Sequence, residues 1–357
     1  MCSLNKCALL VCGALLTLLQ GIAQAASYVD VLDLPAKSSA LALHSPVLDL
    51  ARAGQRLVAV GQRGHILYSD DDGKNWQQAQ VPVSSDLTAV VFPSAEQGWA
   101  VGNDGVVLHS GDAGLTWNKQ LDGRQIGALV LKHYSGLASA EPDNQQWPLL
   151  AAEGQRLLEE GADKPLLDVW FANEQFGYVL GVFNLLLRTD DGGQSWTPAQ
   201  DLTDNPQGFH LNAIASTGDG LYIAGEQGLL LKWDESFKRF KSLQTPYQGS
   251  YFGIVGQPGE VLAYGLRGHV FRSTDGGANW HQVDSGLQAS ITTALLGADG
   301  HYRLFTQAGH MLLSQAGDSP LQLVPQAAQS PVAGAAQAAD GTLVLVGSRG
   351  VRALPVE

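Results

Sequence analysis

The sequence predicts an all-β fold, a seven-bladed β-propeller of four-stranded antiparallel blades. Three observations carry that reading. First, the phrase Ser69-Asp70-Asp71-Asp72-Gly73-Lys74-Asn75-Trp76 recurs at 110–117, 189–196 and 273–280, always as [Ser/Thr]-x-Asp-x-Gly-x-x-Trp. Second, Trp76, Trp117, Trp196 and Trp280 are spaced by 41, 79 and 84 residues. These are one or two periods of about 40, the length of a propeller blade. Third, every copy follows a short strand-like run, at 65–68, 106–109, 185–188 and 269–272, as alternation and flanking turn residues require.

The elements follow in chain order. Lys6, an apolar stretch over 8–19 and Ala23-Gln24-Ala25 form the charged start, apolar middle and small-x-small site of a signal peptide over 1–25. The stretch is too short to span a bilayer. Residues 26–357 then read as one propeller domain. In the second unit, 87–92 is an inner strand and 98–101 the next. Gly102-Asn103-Asp104-Gly105 turns the chain into 106–110, and the Asp phrase turns it into an outer strand near Trp117. The third unit repeats this over 165–196. The unit through Phe240 has lost its Asp phrase, Leu304 to Leu313 belongs to another worn copy, and 345–350 holds the last turn. The last unit lacks an outer strand, and residues 28–34 are expected to supply it, so that the N- and C-terminal strands close the ring and remove its exposed edges.

One stretch breaks the period. Ile126, Leu129, Val130, His133, Tyr134 and Leu137 recur at helical spacing, as do Trp147, Leu150, Ala151 and Leu158. A helical hairpin inserted over 123–162 is expected. The alternative takes 153–157 as a worn blade turn and counts eight blades.

All three cysteines (Cys2, Cys7, Cys12) fall in the signal, so the mature chain has no disulfide, thiolate nucleophile or Cys-ligated zinc. Without Lys6 it carries 20 basic against 34 acidic residues, a net of −14. That balance argues against nucleic acid as a partner and against docking on an anionic membrane. No later segment is apolar enough to enter a bilayer. A soluble protein of an exported compartment, the periplasm, is expected.

The repeated phrase reads first as a folding device. Asp71, Asp112, Asp191 and Asp275 can accept backbone N–H groups two residues on. Gly73, Gly114, Gly193 and Gly277 permit positive φ, and Trp76, Trp117, Trp196 and Trp280 can bury their rings between sheets. Four copies around a rim argue against a single active site built from them.

The phrase is similar to the Asp-box, or BNR repeat, of sialidases and many other propellers. The longer unit from Ala59 to Trp76, with Gly61-Gln62-Arg63-Gly64-His65 before the phrase, resembles the photosystem II assembly/stability factor family over roughly 44–357, the hairpin excepted. The resemblance implies an exported, non-enzymatic seven-bladed propeller that binds partner proteins; no cofactor is expected. Proteobacterial relatives lack a photosystem client and are associated with RND-type exporters. The hairpin departs from the photosynthetic pattern. A scaffold for an envelope or membrane protein, an RND-type exporter among the possible clients, is therefore expected.

Candidate residues follow from the turn before each third strand. Arg63, Arg267 and Arg349 share one register there, where other units place Asp104, Asn184, Gln227 and Ala308. Such turns share a face with the blade-to-blade connections, and so with the hairpin. On an acidic chain, clustered guanidinium groups suit a carboxylate or phosphate; solvated repeat-derived arginines are the plainer alternative. His65, His269 and His310 begin the next strands, on separate blades, and read as strand residues and not as metal ligands. No nucleophile elbow, phosphate loop or sialidase-type Arg-Ile-Pro segment is found. A glycan-active Asp-box hydrolase, which needs two carboxylates across a cleft, and a glycan- or small-ligand-binding propeller without turnover remain the alternatives.

Overall fold

The computed structural model describes residues 29–315, 319–326 and 329–354. The expected signal peptide lies outside them. Among the described residues the strands form seven antiparallel sheets, six of four strands and one of three, each in chain order. The first sheet runs Val47–Ala53, Arg56–Gly61, Ile66–Ser69 and Gln77–Gln78. The inner strands of the next six are Leu87–Val91, Leu166–Phe171, Leu211–Ser216, Tyr251–Gln257, Ile291–Leu296 and Gly334–Gln337. Each inner strand packs on the next, and the seventh packs on the first.

Packing between sheets explains the unbroken apolar runs. Val58, Val60 and Ile66 point toward Val90, Ala100 and Leu108 of the second sheet. Leu57, Ala59 and Leu67 point the other way, against Val344 and Val346 of the seventh. A strand buried on both faces has no polar alternation to display.

The N-terminal segment is not the strand the sequence suggested. Residues 31–34 form turn and bend, and 29–34 do not join the seventh sheet. Asp30 closes the turn by accepting from the N–H of Leu32 (2.9 Å). Val31 O accepts from Ser84 N (2.8 Å), and Ala36 N donates to Val81 O (3.0 Å). Leu32 is buried with Val81, Val83 and Val106. The segment thus straps the connection between the first two sheets, because that is where Leu32 finds an apolar pocket. Among the described residues the seventh sheet has three strands.

Residues between the second and third sheets form α1 (Gly123–Ala140) and α2 (Gln146–Glu160). The alternative reading of 153–157 as a worn blade turn fails here, since these residues lie within α2. Asp122 caps α1, its side chain accepting from Arg124 N while Gln125 reaches back to the Asp122 N–H, a reciprocal box that satisfies free donors of the first turn. Ile126, Val130, Tyr134 and Leu157 are buried together with Val107, Val179 and Trp196. Tyr134 Oη donates to Asp201 Oδ1 (2.7 Å). The strap reaches the same place: Arg124 pairs with Asp33 (2.7 Å) and Lys119 Nζ donates to Leu32 O (2.7 Å).

Candidate functional site

The Asp phrases lie at the outer hairpins. Ser69 Oγ accepts from Gly73 N (2.9 Å), Asp71 Oδ1 accepts from Asn75 N (2.7 Å) and Trp76 Nε1 donates to Gly73 O (2.9 Å). The carboxylate therefore reaches four residues on and not two. Left-handed φ at Asp72 (60°) and Gly73 (84°) curls the chain back far enough to present that N–H. Asp112, Asp191 and Asp275 accept in the same way from Thr116, Ser195 and Asn279. The Asn75 and Asn279 side chains, which also donate to them, hold the Asp71 and Asp275 carboxyls down at about 2. Each carboxylate is occupied by its own turn. Trp117, Trp196 and Trp280 are buried and Trp76 half-buried.

The turns before the third strands form a separate face. Arg63 and Arg267 take left-handed φ of 57°, as do Asp104 (58°), Phe183 (54°) and Gln227 (54°). The equivalent in the third sheet is therefore Phe183. Asn184 stands at the following position, which glycine holds in the other turns. Only a residue without Cβ fits most of those positions: at Gly64 a Cβ would lie 2.2 Å from Val83 O, and at Gly350 1.9 Å from Leu43 O. Those carbonyls belong to chain entering the next sheet, so turns and connections share one face. The hairpin is on it too, since a Cβ at Gly105 would meet Gly123 Cα at 2.9 Å.

Arg63, Arg267 and Arg349 are exposed on this face. They stand on the first, fifth and seventh sheets, of which the first and seventh pack together. Arg349 lines a shallow cavity of about 230 Å³ with Arg352, to which neither Arg63 nor Arg267 contributes. Among the described residues their guanidinium groups have no hydrogen-bond or ion-pair partner. The other arginines do: Arg56 pairs with Asp70, Arg188 with Asp190, Arg239 with Asp204, Arg272 with Glu260 and Arg303 with Asp299. Arg124 and Arg156 are paired twice, and Arg52 and Arg352 donate to carbonyls.

The histidines bond locally on separate sheets. His269 Nδ1 meets Leu266 O (2.9 Å) and His310 Nδ1 meets Thr306 Oγ1 (3.1 Å). Burial lowers the pKa of His65.

Two carboxylates escaped the sequence reading. Asp49 and Asp168 occupy the same bulged register of two inner strands. Asp49 accepts from Val90 N of the second sheet (2.9 Å), and Asp168 from Ile214 N of the fourth (2.8 Å). They keep some accessible surface, yet protein surrounds each carboxyl, and desolvation pushes Asp49 up to about 6 and Asp168 up to about 7. A lone Asp inside the apolar runs Leu48-Asp49-Leu50 and Leu167-Asp168-Val169 was the signal available in the sequence.

Comparisons with known proteins agree with this architecture. The sequence model of the family described as photosynthesis system II assembly factor YCF48 matches residues 31–140 and 155–351. The match thus takes in α1, which the sequence reading had set apart, and leaves out only 141–154 between its two segments. The photosystem II assembly lipoprotein Ycf48 of Synechococcus sp. (strain CC9902) is 32% identical over 136 residues, 36% of this chain and 37% of that protein. The chloroplastic photosystem II stability/assembly factor HCF136 of Arabidopsis thaliana is 21% identical over 268 residues, 62% and 63% of the two chains. The matches thus span less than two thirds of these relatives. Among solved structures, YCF48 bound to D1 peptide superposes with a TM-score of 0.63 at 14% identity, covering 87% of this chain and 92% of that one. The WD40 propeller domain of Doa1 reaches 0.60 at 10% identity, covering 91% and 97%. Among the described residues no helix is long and apolar enough to cross a membrane. With the repeat, the sheet arrangement and the family match in agreement, this chain belongs to the YCF48 photosystem II assembly factor family.

Proposed function

We propose that the protein is an exported, non-enzymatic scaffold that assists assembly or operation of a membrane complex. Its seven sheets act as the blades of a closed ring. It grips a partner protein through the turn face that carries Arg63, Arg267 and Arg349. The observation that carries this reading is the pairing pattern: the arginines at the shared turn register are those left without a bonding partner, whereas the remaining described arginines are neutralised or bonded. An exposed, uncommitted guanidinium is ready for a bidentate carboxylate. The names of the relatives, assembly and stability factors, and the D1 peptide on one of them, support a membrane-protein client. An RND-type exporter is the client to try first.

The test is affinity purification from crosslinked, intact cells, comparing wild type with Arg63→Glu/Arg267→Glu/Arg349→Glu. We expect the membrane-protein partner to be lost while the melting temperature stays within a few degrees of wild type. Undiminished recovery of the partner by the triple variant would sink the reading.

A further inference from the structure

The turn face carries a second, larger cavity. A cleft of about 880 Å³ lies between α2 and the third and fourth sheets, a size that suits a ligand or a few residues of peptide. Leu149 of α2 projects at one wall, 72% exposed. Phe183 stands at the other, 49% exposed and held at φ 54°, ψ 42°. Phe183 shares that left-handed φ with Arg63, Asp104, Gln227 and Arg267 at the same turn position, and the conformation is unfavourable for a bulky residue. The ring is braced by the Arg156 guanidinium at 5.5 Å and edge-on by His210 at 4.6 Å. Two large apolar side chains thus face solvent across a cleft, an arrangement typical of interaction anchors.

Charge narrows the choice of occupant. The charged lining residues are Glu153 with Arg156 and Asp204 with Arg239, two ion pairs that sum to zero on a chain of net −13. A strongly charged ligand gains nothing there, and an uncharged one loses nothing. The rim offers the exposed amides of Gln146 and Gln207, whose side chains bond to no described residue and can pair with a peptide backbone. The α2 wall, Gln145 to Glu153, falls within 141–154, the stretch that the family model leaves unmatched. The wall that carries Phe183 lies within the matched residues.

We propose that this cleft binds an extended, uncharged polypeptide segment of the partner, seating one large apolar side chain between Leu149 and Phe183. The proposal rests on the scaffold reading and places part of the client's grip away from the arginines. An immobilised array of random ten-residue peptides, probed with the folded full-length protein and followed by fluorescence anisotropy on the selected peptides, tests it. We expect selected peptides to be uncharged with a large apolar residue, and Leu149→Asp to weaken them at least tenfold. Phe183→Asn should weaken them too, while its melting temperature stays at or above wild type, because asparagine suits left-handed φ. No selection, selection of charge-rich peptides, or binding that survives both substitutions would overturn the proposal. Partner recovery from cells separates it from the scaffold reading. If the arginine variant loses the partner while Leu149→Asp retains it in full, the cleft proposal falls and the scaffold reading stands; if both variants keep the partner, both fall.

Discussion

At the scale of single residues, the Asp phrase works through hydrogen bonds to its own turn. Asp112 accepts from Ser110 Oγ (2.8 Å), Thr116 N (2.9 Å) and Thr116 Oγ1 (2.6 Å). Burial raises its pKa and those bonds lower it, with a net lowering. We expect Asp112→Ala to cost about 1–2 kcal/mol in urea unfolding, with partner recovery unchanged at temperatures where the variant is folded. Selective loss of binding without loss of stability would contradict the structural role. The sign with pH follows: the contribution is present above the carboxyl's unfolded pKa and is lost as pH falls below it. The same turn logic set a limit on reading the arginine register. Sequence spacing alone placed Asn184 beside Arg63, whereas the left-handed position belongs to Phe183. Asn184 took the next place because asparagine tolerates left-handed φ, and its buried side chain bonds Gln200 O, Thr203 and Asn205.

At the scale of elements, the hairpin depends on two glycines. A Cβ at Gly127 would lie 2.3 Å from Leu158 N, and one at Gly154 2.3 Å from Leu131 N. The helices touch backbone to backbone there, so neither can yield locally. Alanine at a helical glycine ordinarily gains about 1 kcal/mol in propensity. Overpacking against backbone costs about 1–3 kcal/mol and should win. We expect Gly154→Ala to lower the melting temperature and to increase hydrogen exchange in α1 and α2 ahead of the sheets. A variant more stable than wild type would show that the helices can separate at no cost. The hairpin is tied into the sheets by Tyr134 and by the Asp33–Arg124 pair of the strap, and so presents its cleft wall on a supported frame.

At the scale of the whole molecule, two of the inner strands carry carboxylates with raised pKa. Unfolded, each titrates near 3.8; folded, Asp49 titrates near 6 and Asp168 near 7. The folded state therefore binds protons more tightly between about pH 4 and 7. Stability is greatest below that window, falls as pH rises through it and levels off above. Each group contributes on the order of 3 kcal/mol to that fall, repulsion from Asp49 being part of the Asp168 shift. We expect urea midpoints of the wild type to decline from pH 4.5 to 7.5 relative to Asp49→Asn/Asp168→Asn, in which the titration is gone. The slope and not the absolute stability is the readout, because one end of each asparagine is a donor that opposes a backbone N–H. Equal slopes in the two proteins would refute the assignment.

By itself the sequence determined what is local and repeated. The Ser/Thr, Asp, Gly and Trp of each phrase build one turn from contacts within eight residues, so four copies were legible, and with them the blade period and the sheet class. The helical spacing of Ile126, Val130 and Tyr134 was legible for the same reason. Tertiary structure alone decided how distant parts meet. It sent the strap to the first two sheets and not to the seventh, because Leu32 is buried there. Among the described residues it left Arg63, Arg267 and Arg349 unpaired while pairing the other arginines, and it brought Leu149 across from Phe183. It also set Asp49 and Asp168 against backbone N–H groups of the neighbouring sheets. These outcomes depend on which side chains and carbonyls happen to lie opposite after the sheets pack, and no spacing along the chain encodes that.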